Sequence, residues 1–227
     1  MVNNIIEAWY WTLLLVVLVG VSVYYSIHTI KEMWTALKKH REEGEDTIPE
    51  EMSLKPYSRR IVIIHWLTVV LLVAGWYLGE MLNDAREAHT ATLAGYYAHV
   101  LVGGAVLLLT LLRWMFRNMD GAPPPGYTIM DLVARGVHYA LYFLLVLLGA
   151  TGFMTALTSG VGVALIKVNP ALLPEKYFGP SVVPHMAHEI MMYVLIAVAA
   201  LHIAGALMHQ FILKDGLMRR MSLSRKE

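Results

Sequence analysis

Long apolar runs alternate with polar stretches along the chain, and five of the runs are long enough to be membrane-spanning helices. They cover about residues 5–30, 61–82, 93–115, 129–157 and 184–213. An α-helix needs roughly 20 apolar residues to cross a bilayer. The first run could instead be a cleaved signal peptide, but it lacks a basic start and exceeds the length of a signal's apolar core. The pattern predicts an all-α membrane protein with five spans.

The polar stretches differ from one another in character. Residues 31–56 carry many charges of both signs, and residues 121–126 read GAPPPG, which excludes a helix there. Residues 158–183 are unusual because an apolar segment, GVGVALIKVNPALLP, lies among several prolines. This stretch is either an interfacial segment that caps the bundle or a docking surface for a periplasmic partner, and the sequence favours neither.

Composition supports the membrane assignment and removes several chemistries. The chain has 227 residues, of which 57% are hydrophobic and 15% charged, and its mean hydropathy is +0.54, as is typical of integral membrane proteins. The net charge of +1 gives no reason to expect nucleic acid binding. The sequence has no cysteine, which excludes disulfides, iron–sulfur clusters, thiolate zinc sites and covalently attached c-type haem.

The distribution of Lys and Arg predicts the orientation in the membrane. Residues 31–60, residues 113–137 and the tail after Leu213 hold 7, 3 and 5 of them, which is 15 of the 18 in the chain. The opposite side keeps only Arg86, Lys167 and Lys176. By the positive-inside rule, the N-terminus lies outside and the C-terminus lies in the cytoplasm.

Histidines inside the apolar runs are the candidate chemistry. His188 and His202 are 14 residues apart, close to four helical turns, so they share a face and lie about 21 Å apart. Counted from the arginines at the cytoplasmic boundary, His65 lies about 8 Å and His99 about 27 Å into the membrane. The two separations match. We therefore predict two histidine pairs, an outer pair of His99 with His188 and an inner pair of His65 with His202.

Two facing imidazoles are the ligation of a low-spin b haem, which leaves the iron no open position and favours electron transfer. Glycines near these histidines, such as Gly103, Gly104 and Gly205, would let a porphyrin approach the backbone, although taken alone they are better explained by close packing of membrane helices. Zinc is less suitable, because the histidines have no clustered tetrahedral companions. A proton relay is disfavoured, since no Asp or Glu lies in the middle of any run. We expect two haem b groups.

Residues near the inner pair could serve a quinone. His209 follows His202 by two turns on the same face and is close to Lys214, while His138 lies near the cytoplasmic start of the fourth run. A quinone needs hydrogen-bond donors and a proton path near the bilayer boundary, close to a haem edge. His209, Lys214 and His138 are therefore the candidate quinone site, although interfacial solvation explains His138 equally well.

Four stretches resemble the bacterial cytochrome b561 family, within the wider group that includes the membrane cytochrome b subunits of nickel–iron hydrogenases and formate dehydrogenases. They are YSRRIVIIHW at 57–66, YYAHVLVGG at 96–104, VHYALYFLLVLLGATG at 137–152 and HEIMMYVLIAVAALHIAGALMHQFILKDGLMRRM at 188–221. The resemblance implies a four-helix core that binds two b haems, with ligands at His65, His99, His188 and His202. It also implies a quinone near the cytoplasmic haem, at the position of His209.

Two features depart from the family. The first run and its charged connector are not part of the usual four-helix core, so we divide the chain into residues 1–56 and a cytochrome b561-like domain of residues 57–227. The outer side carries 3 Lys/Arg against 6 acidic residues, a balance that would repel an anionic substrate such as superoxide.

The sequence therefore predicts a di-haem b-type cytochrome of the bacterial inner membrane, surrounded by lipid. It would carry electrons between a periplasmic redox partner and the quinone pool, as a membrane subunit of a larger redox complex. We assign no catalytic residue. A stand-alone superoxide:quinone oxidoreductase is one alternative, and a haem-free membrane scaffold is an alternative of another class.

Overall fold

A computed structural model describes residues 56–121 and 129–224, together with residues 31, 34, 35 and 38. The first predicted span, most of the first connector and the proline run at 123–125 lie outside the described residues. The helices are α1 Arg59–Glu87, α2 Leu93–Asp120, α3 Ile129–Ser159, α4 Val161–Ile166 and α5 Val182–Leu207. Within the described part, four helices are long and apolar enough to cross a membrane. The all-α membrane fold is thereby confirmed, whereas the fifth span and the orientation stay predictions.

The helices extend beyond the apolar runs because polar residues form their ends. Thr92 caps α2, and its side chain accepts a hydrogen bond from the amide of Gly95. At the other end of the chain, α5 continues into one π-helical turn, Met208–Leu213. That turn ends where Lys214 and Gly216 adopt left-handed backbone angles, with φ of 53° and 74°.

The four long helices form two antiparallel pairs. One is α1 with α2 and the other is α3 with α5, and α2 also packs on α3. We call the end of the bundle where α1 begins the inner end and the opposite end the outer end. At the inner end, Asp120 accepts hydrogen bonds from Ser58 and Arg60 and so ties α2 to α1. The backbone of α5 lies apart from those of α1 and α2, so contacts between α5 and these two helices are made by side chains.

Few side chains of the described residues are buried inside the bundle, and many large apolar side chains are exposed on its surface. An apolar surface of this kind suits a surrounding hydrocarbon. Four buried threonines lie within the spans: Thr68, Thr110, Thr151 and Thr155. Each hydroxyl donates to the backbone carbonyl four residues earlier. The threonines therefore leave no hydroxyl unsatisfied in a medium that offers no water.

The apolar segment after α3 packs on the outer end. Val161, Ala164 and Leu165 of α4 are buried there, and the hydroxyl of Tyr97 donates to the carbonyl of Leu165. Ile166 stays exposed. The buried part of this segment is packed as a cap would be, while its role as a docking surface stays a prediction.

Candidate functional site

The outer histidine pair lies between α2 and α5. The ring centroids of His99 and His188 are 6.1 Å apart and the ring planes meet at 85°. Nδ1 of His99 is 3.1 Å from the carbonyl oxygen of Gly75, and Nδ1 of His188 is 2.9 Å from that of Leu148. Because a carbonyl only accepts, each Nδ1 carries the hydrogen and each Nε2 keeps its lone pair. Metal-binding imidazoles are held in this tautomer.

Two glycines allow these imidazoles to lie close against neighbouring helices. A Cβ added at Gly152 would lie 2.9 Å from Cε1 of His188, and one at Gly79 would lie 3.1 Å from Cε1 of His99. Both distances are shorter than ordinary side-chain contacts. At both positions an added side chain would therefore meet the ring of a histidine first.

The inner histidine pair joins α1 to α5, and two further basic side chains lie beside it. The ring centroids of His65 and His202 are 6.4 Å apart, with planes at 84°. His138 of α3 also reaches His202, with ring centroids 5.0 Å apart. Nη1 of Arg113 is 2.8 Å from Nδ1 of His65. The inner layer is therefore richer in basic groups than the outer one.

The spacing of the rings tests whether they fit a b haem. Two metal–nitrogen bonds of about 2.0 Å, with about 1.1 Å from each nitrogen to its ring centroid, would put two imidazoles that hold one iron between them about 6.2 Å apart. The outer pair at 6.1 Å and the inner pair at 6.4 Å both match this value. His138 and His202, at 5.0 Å, are too close to lie on opposite sides of one iron. The residues present fit one b haem in each layer.

The predicted quinone residues occupy two different settings. His138 meets His202 inside the bundle, whereas His209 lies on the π-helical turn, with Nδ1 2.5 Å from Oδ2 of Asp215. Lys214, next in the chain to Asp215, is exposed. π-Helical turns occur often at functional sites, and this one turns His209 toward the short tail that follows the span.

Asp215 holds the start of that tail. Its Oδ1 accepts a hydrogen bond of 3.0 Å from the amide of Leu217. Partial burial acts to raise the pKa of Asp215, but the hydrogen bonds from His209 and from the Leu217 amide outweigh it and keep this pKa below its usual value. The tail then returns to α1, where the indole of Trp66 donates to the carbonyl of Met221.

Sequence reasoning counted Arg113 only as a cytoplasmic charge and did not place it beside His65. A signal was present, because Arg113 follows His99 by 14 residues, the same interval that separates His188 from His202. On a helix this interval puts both side chains on one face. Applied to α2 as it was to the last run, the rule predicts Arg113 in the inner layer.

A second cluster that the sequence did not indicate lies at the outer end. A cleft of about 500 Å³ is lined in part by Arg86, Tyr177 and His185. The ring of Tyr177 lies 3.9 Å from that of His185, and the guanidinium carbon of Arg86 lies 4.5 Å from the Tyr177 ring centroid. Nε2 of His185 is 3.2 Å from a carboxylate oxygen of Glu189. The cleft therefore carries both signs of charge.

Four apolar spans that bring histidines together in pairs define a helical membrane protein of the cytochrome b class. The family model of prokaryotic cytochrome b561 matches residues 56–222, and the chain belongs to that family. It is 36% identical over 169 residues to cytochrome b562 of Cereibacter sphaeroides, which covers 73% of this chain and 94% of the relative. It is 25% identical over 171 residues to the probable superoxide oxidase CybB of Yersinia pestis, covering 74% and 96% of the two chains. Cytochrome b561 homolog 2 of Escherichia coli is 26% identical over 163 residues, which is 69% and 77% of the two.

Family membership and the four apolar helices establish the general role. The chain is a multi-pass protein of the bacterial inner membrane, binds b-type haem and takes part in electron transfer. Membership supports this role over the haem-free scaffold.

Proposed function

We propose that the chain binds two haem b groups, one in each histidine layer, and carries electrons across the membrane between a periplasmic redox partner and the quinone pool. The observation that carries the proposal is that the ring centroids of the two pairs, 6.1 and 6.4 Å apart, leave the space that one haem iron would need between its two imidazoles. Each haem supplies one-electron chemistry when bound. The chain supplies the ligands, their orientation and an environment free of water.

The residues of the two layers have separate roles in this proposal. Gly75 and Leu148 hold His99 and His188 with Nε2 directed away from the carbonyls, and so orient the outer ligands. His65 and His202 are the inner ligands. His138 lies against His202 and positions its ring.

We place the quinone at the inner end, beside the π-helical turn. Reduction of a quinone takes up two electrons and two protons, so its site needs a route for protons from the cytoplasm. His209 can donate to a quinone oxygen and be reprotonated through Asp215, whose carboxylate contacts Nδ1. Lys214 is exposed beside this pair and is a second candidate donor to a quinone oxygen.

The haem assignment is tested by replacing one histidine at a time and measuring the ratio of haem to protein in the purified chain. His65→Ala, His99→Ala, His188→Ala and His202→Ala are each expected to lower the ratio from two to one. His89→Asn is the matched control, because His89 is exposed with a φ of 56° that asparagine tolerates, and it keeps both haems. A ligand variant that retains both haems would contradict the assignment.

The quinone assignment needs a separate measurement. His209→Ala is expected to keep both haems and to slow quinone reduction by the pre-reduced protein, and Asp215→Asn is expected to slow it in the same way. His138→Ala keeps both haems, since His138 is too close to His202 to be a trans ligand. Loss of a haem from His209→Ala would move His209 into the inner layer and overturn the assignment.

One observation favours a second candidate, superoxide:quinone oxidoreduction. A relative at 25% identity carries the name of a probable superoxide oxidase. Against it stands the charge at the outer end, where Glu87, Glu175 and Glu189 accompany the basic residues of the cleft. The test is superoxide-driven quinone reduction by the isolated chain. Fast turnover without a partner supports this candidate, whereas a periplasmic protein that co-purifies and reduces the haems supports the first.

A further inference from the structure

Arg113 is a partly buried cation near the inner end of its span. Its guanidinium carbon lies 5.7 Å from the ring centroid of Tyr142, and its Nε is buried without a hydrogen-bond partner among the described residues. The described residues give it no ion pair with a carboxylate. A charged side chain within the hydrocarbon is costly unless it meets an opposite charge or lines a polar site. Arg113 therefore has hydrogen-bonding capacity, at Nε, that an anionic ligand in this layer could use.

The contact between Arg113 and His65 is incompatible with His65 as a neutral haem ligand. A guanidinium only donates, so the Nδ1 that it meets carries no hydrogen. A neutral imidazole that binds a metal through Nε2 carries its hydrogen on Nδ1. His99 and His188 satisfy this condition, because their Nδ1 atoms lie against carbonyls. If His65 binds a haem iron through Nε2, its Nδ1 carries a hydrogen and can no longer accept from Arg113. The guanidinium then needs a different acceptor.

We propose that Arg113 binds a propionate carboxylate of the haem held between His65 and His202, through Nε and a neighbouring Nη nitrogen. The proposal rests on the proposed function. Carboxylates match the donor fork of arginine in a bidentate geometry, and the haem brings two of them to the layer in which Arg113 lies. Arg113 is a positioning residue, because it neutralises the carboxylate and orients the inner haem without touching the iron.

The test uses the purified two-haem protein, loaded with haem whose propionates carry ¹³C, and compares Arg113→Gln with the parent chain. Redox-induced infrared difference spectra are expected to show a shifted ¹³C carboxylate band in the variant. The midpoint potential of the inner haem is expected to fall, because an unpaired carboxylate stabilises the ferric state. The outer haem keeps its potential. Arg117→Gln is the matched control, since Arg117 lies one turn further along α2 over a different ring, that of Tyr139.

A conservative variant keeps the test decisive if Arg113→Gln loses the inner haem. Arg113→Lys preserves the charge and is expected to retain the haem, with a potential between those of the parent chain and the glutamine variant. Loss of the inner haem from the lysine variant as well would overturn the proposal, because charge would then not be the property that matters. An unchanged carboxylate band and potential in a haem-replete Arg113→Gln protein would also overturn it.

Two further outcomes identify other causes. The phosphate of an anionic lipid could supply the same kind of partner, so the measurements are repeated in lipid that is zwitterionic only. One such outcome is a midpoint potential of the inner haem that depends on the lipid, with a ¹³C carboxylate band that is the same in Arg113→Gln and the parent chain. That result would mean that Arg113 binds lipid phosphate, and it would overturn the proposal. Failure of the two-layer proposal itself appears differently, as a haem ratio that His65→Ala leaves at two.

Discussion

The two outer histidines are each held in one tautomer by a backbone carbonyl. The carbonyls of Gly75 and Leu148 select the Nδ1–H form in the outer layer. Loss of a hydrogen-bond partner of a metal ligand commonly lowers metal affinity by about 10–100-fold. The space for the rings is set by residues with no side chain. Gly152 is the tightest of these, at 2.9 Å from the ring of His188.

We predict that Gly152→Ala displaces the imidazole of His188 and weakens the outer haem. The added Cβ leaves the ring no room, and the ring cannot retreat without leaving the carbonyl of Leu148. The measurement is the amplitude and position of the reduced α band, together with the haem ratio, which is expected to fall toward one.

Gly149→Ala is the matched control, one turn earlier on α3. There the three heavy atoms nearest to the Cβ would all belong to Leu107, at 3.0–3.2 Å, and none of them to a histidine. Overpacking of this kind costs about 1–3 kcal/mol, so the control lowers thermal stability and keeps both haems. Equal haem loss in the two variants would show that helix packing, not ring placement, is what Gly152 provides.

At the scale of an element, the π-helical turn Met208–Leu213 and the tail behind it form one structural unit. His209 on the turn binds Asp215, and Asp215 in turn holds the amide of Leu217. The depressed pKa of Asp215 records that its ionised form is favoured in the folded chain. A group of this kind stabilises its surroundings above its unfolded pKa, about 3.9 for Asp. The stabilisation is lost as the pH falls through the folded value.

We predict that Asp215→Ala speeds hydrogen exchange of the Leu217 amide at neutral pH, because the acceptor has been removed. In the parent chain the protection is expected to persist down to about pH 4 and to disappear below it, so the two proteins converge in acid. Mass spectrometry of the tail peptide follows the exchange, and the ratio of the two rates at each pH removes the intrinsic effect of acid. A constant ratio through acid would mean that the carboxylate does not hold the tail.

At the scale of the whole molecule, charge at the two ends decides how the bundle lies in the membrane. Fifteen of the 18 Lys and Arg residues lie on the side that we assign to the cytoplasm. The family match begins at residue 56, which agrees with a division of the chain into residues 1–56 and 57–227. That division, the first span and the orientation stay predictions.

A chain with no cysteine makes the orientation measurable by labelling. Single cysteines are introduced as Asn3→Cys, Lys176→Cys and Ser222→Cys, and intact cells are treated with an impermeant maleimide. Positions 3 and 176 are expected to react from the periplasm, and position 222 only after the inner membrane is opened. If the cysteine at position 3, like that at position 222, is labelled only after the inner membrane is opened, the first run does not cross the membrane and four spans remain.

Much of the fold followed from the sequence, because its causes are local. Hydrocarbon thickness sets the length of an apolar run, and the helical rise converts residue number into depth. These two rules predicted the four described spans and the pairing of His65 with His202. They reached no further with Arg113 and His138, because depth along an axis does not give rotation about it or the nearest neighbour.

The sequence by itself determined which residues lie in the hydrocarbon and at what depth. Only the tertiary structure decided which atoms meet there: the carbonyls that face the outer imidazoles, Arg113 against His65, and His138 against His202. These contacts join positions 24 to 64 residues apart, as from Gly75 to His99 and from His138 to His202. They depend on how each helix is rotated against its neighbours, which is fixed by packing summed over whole helix faces and not by any local pattern.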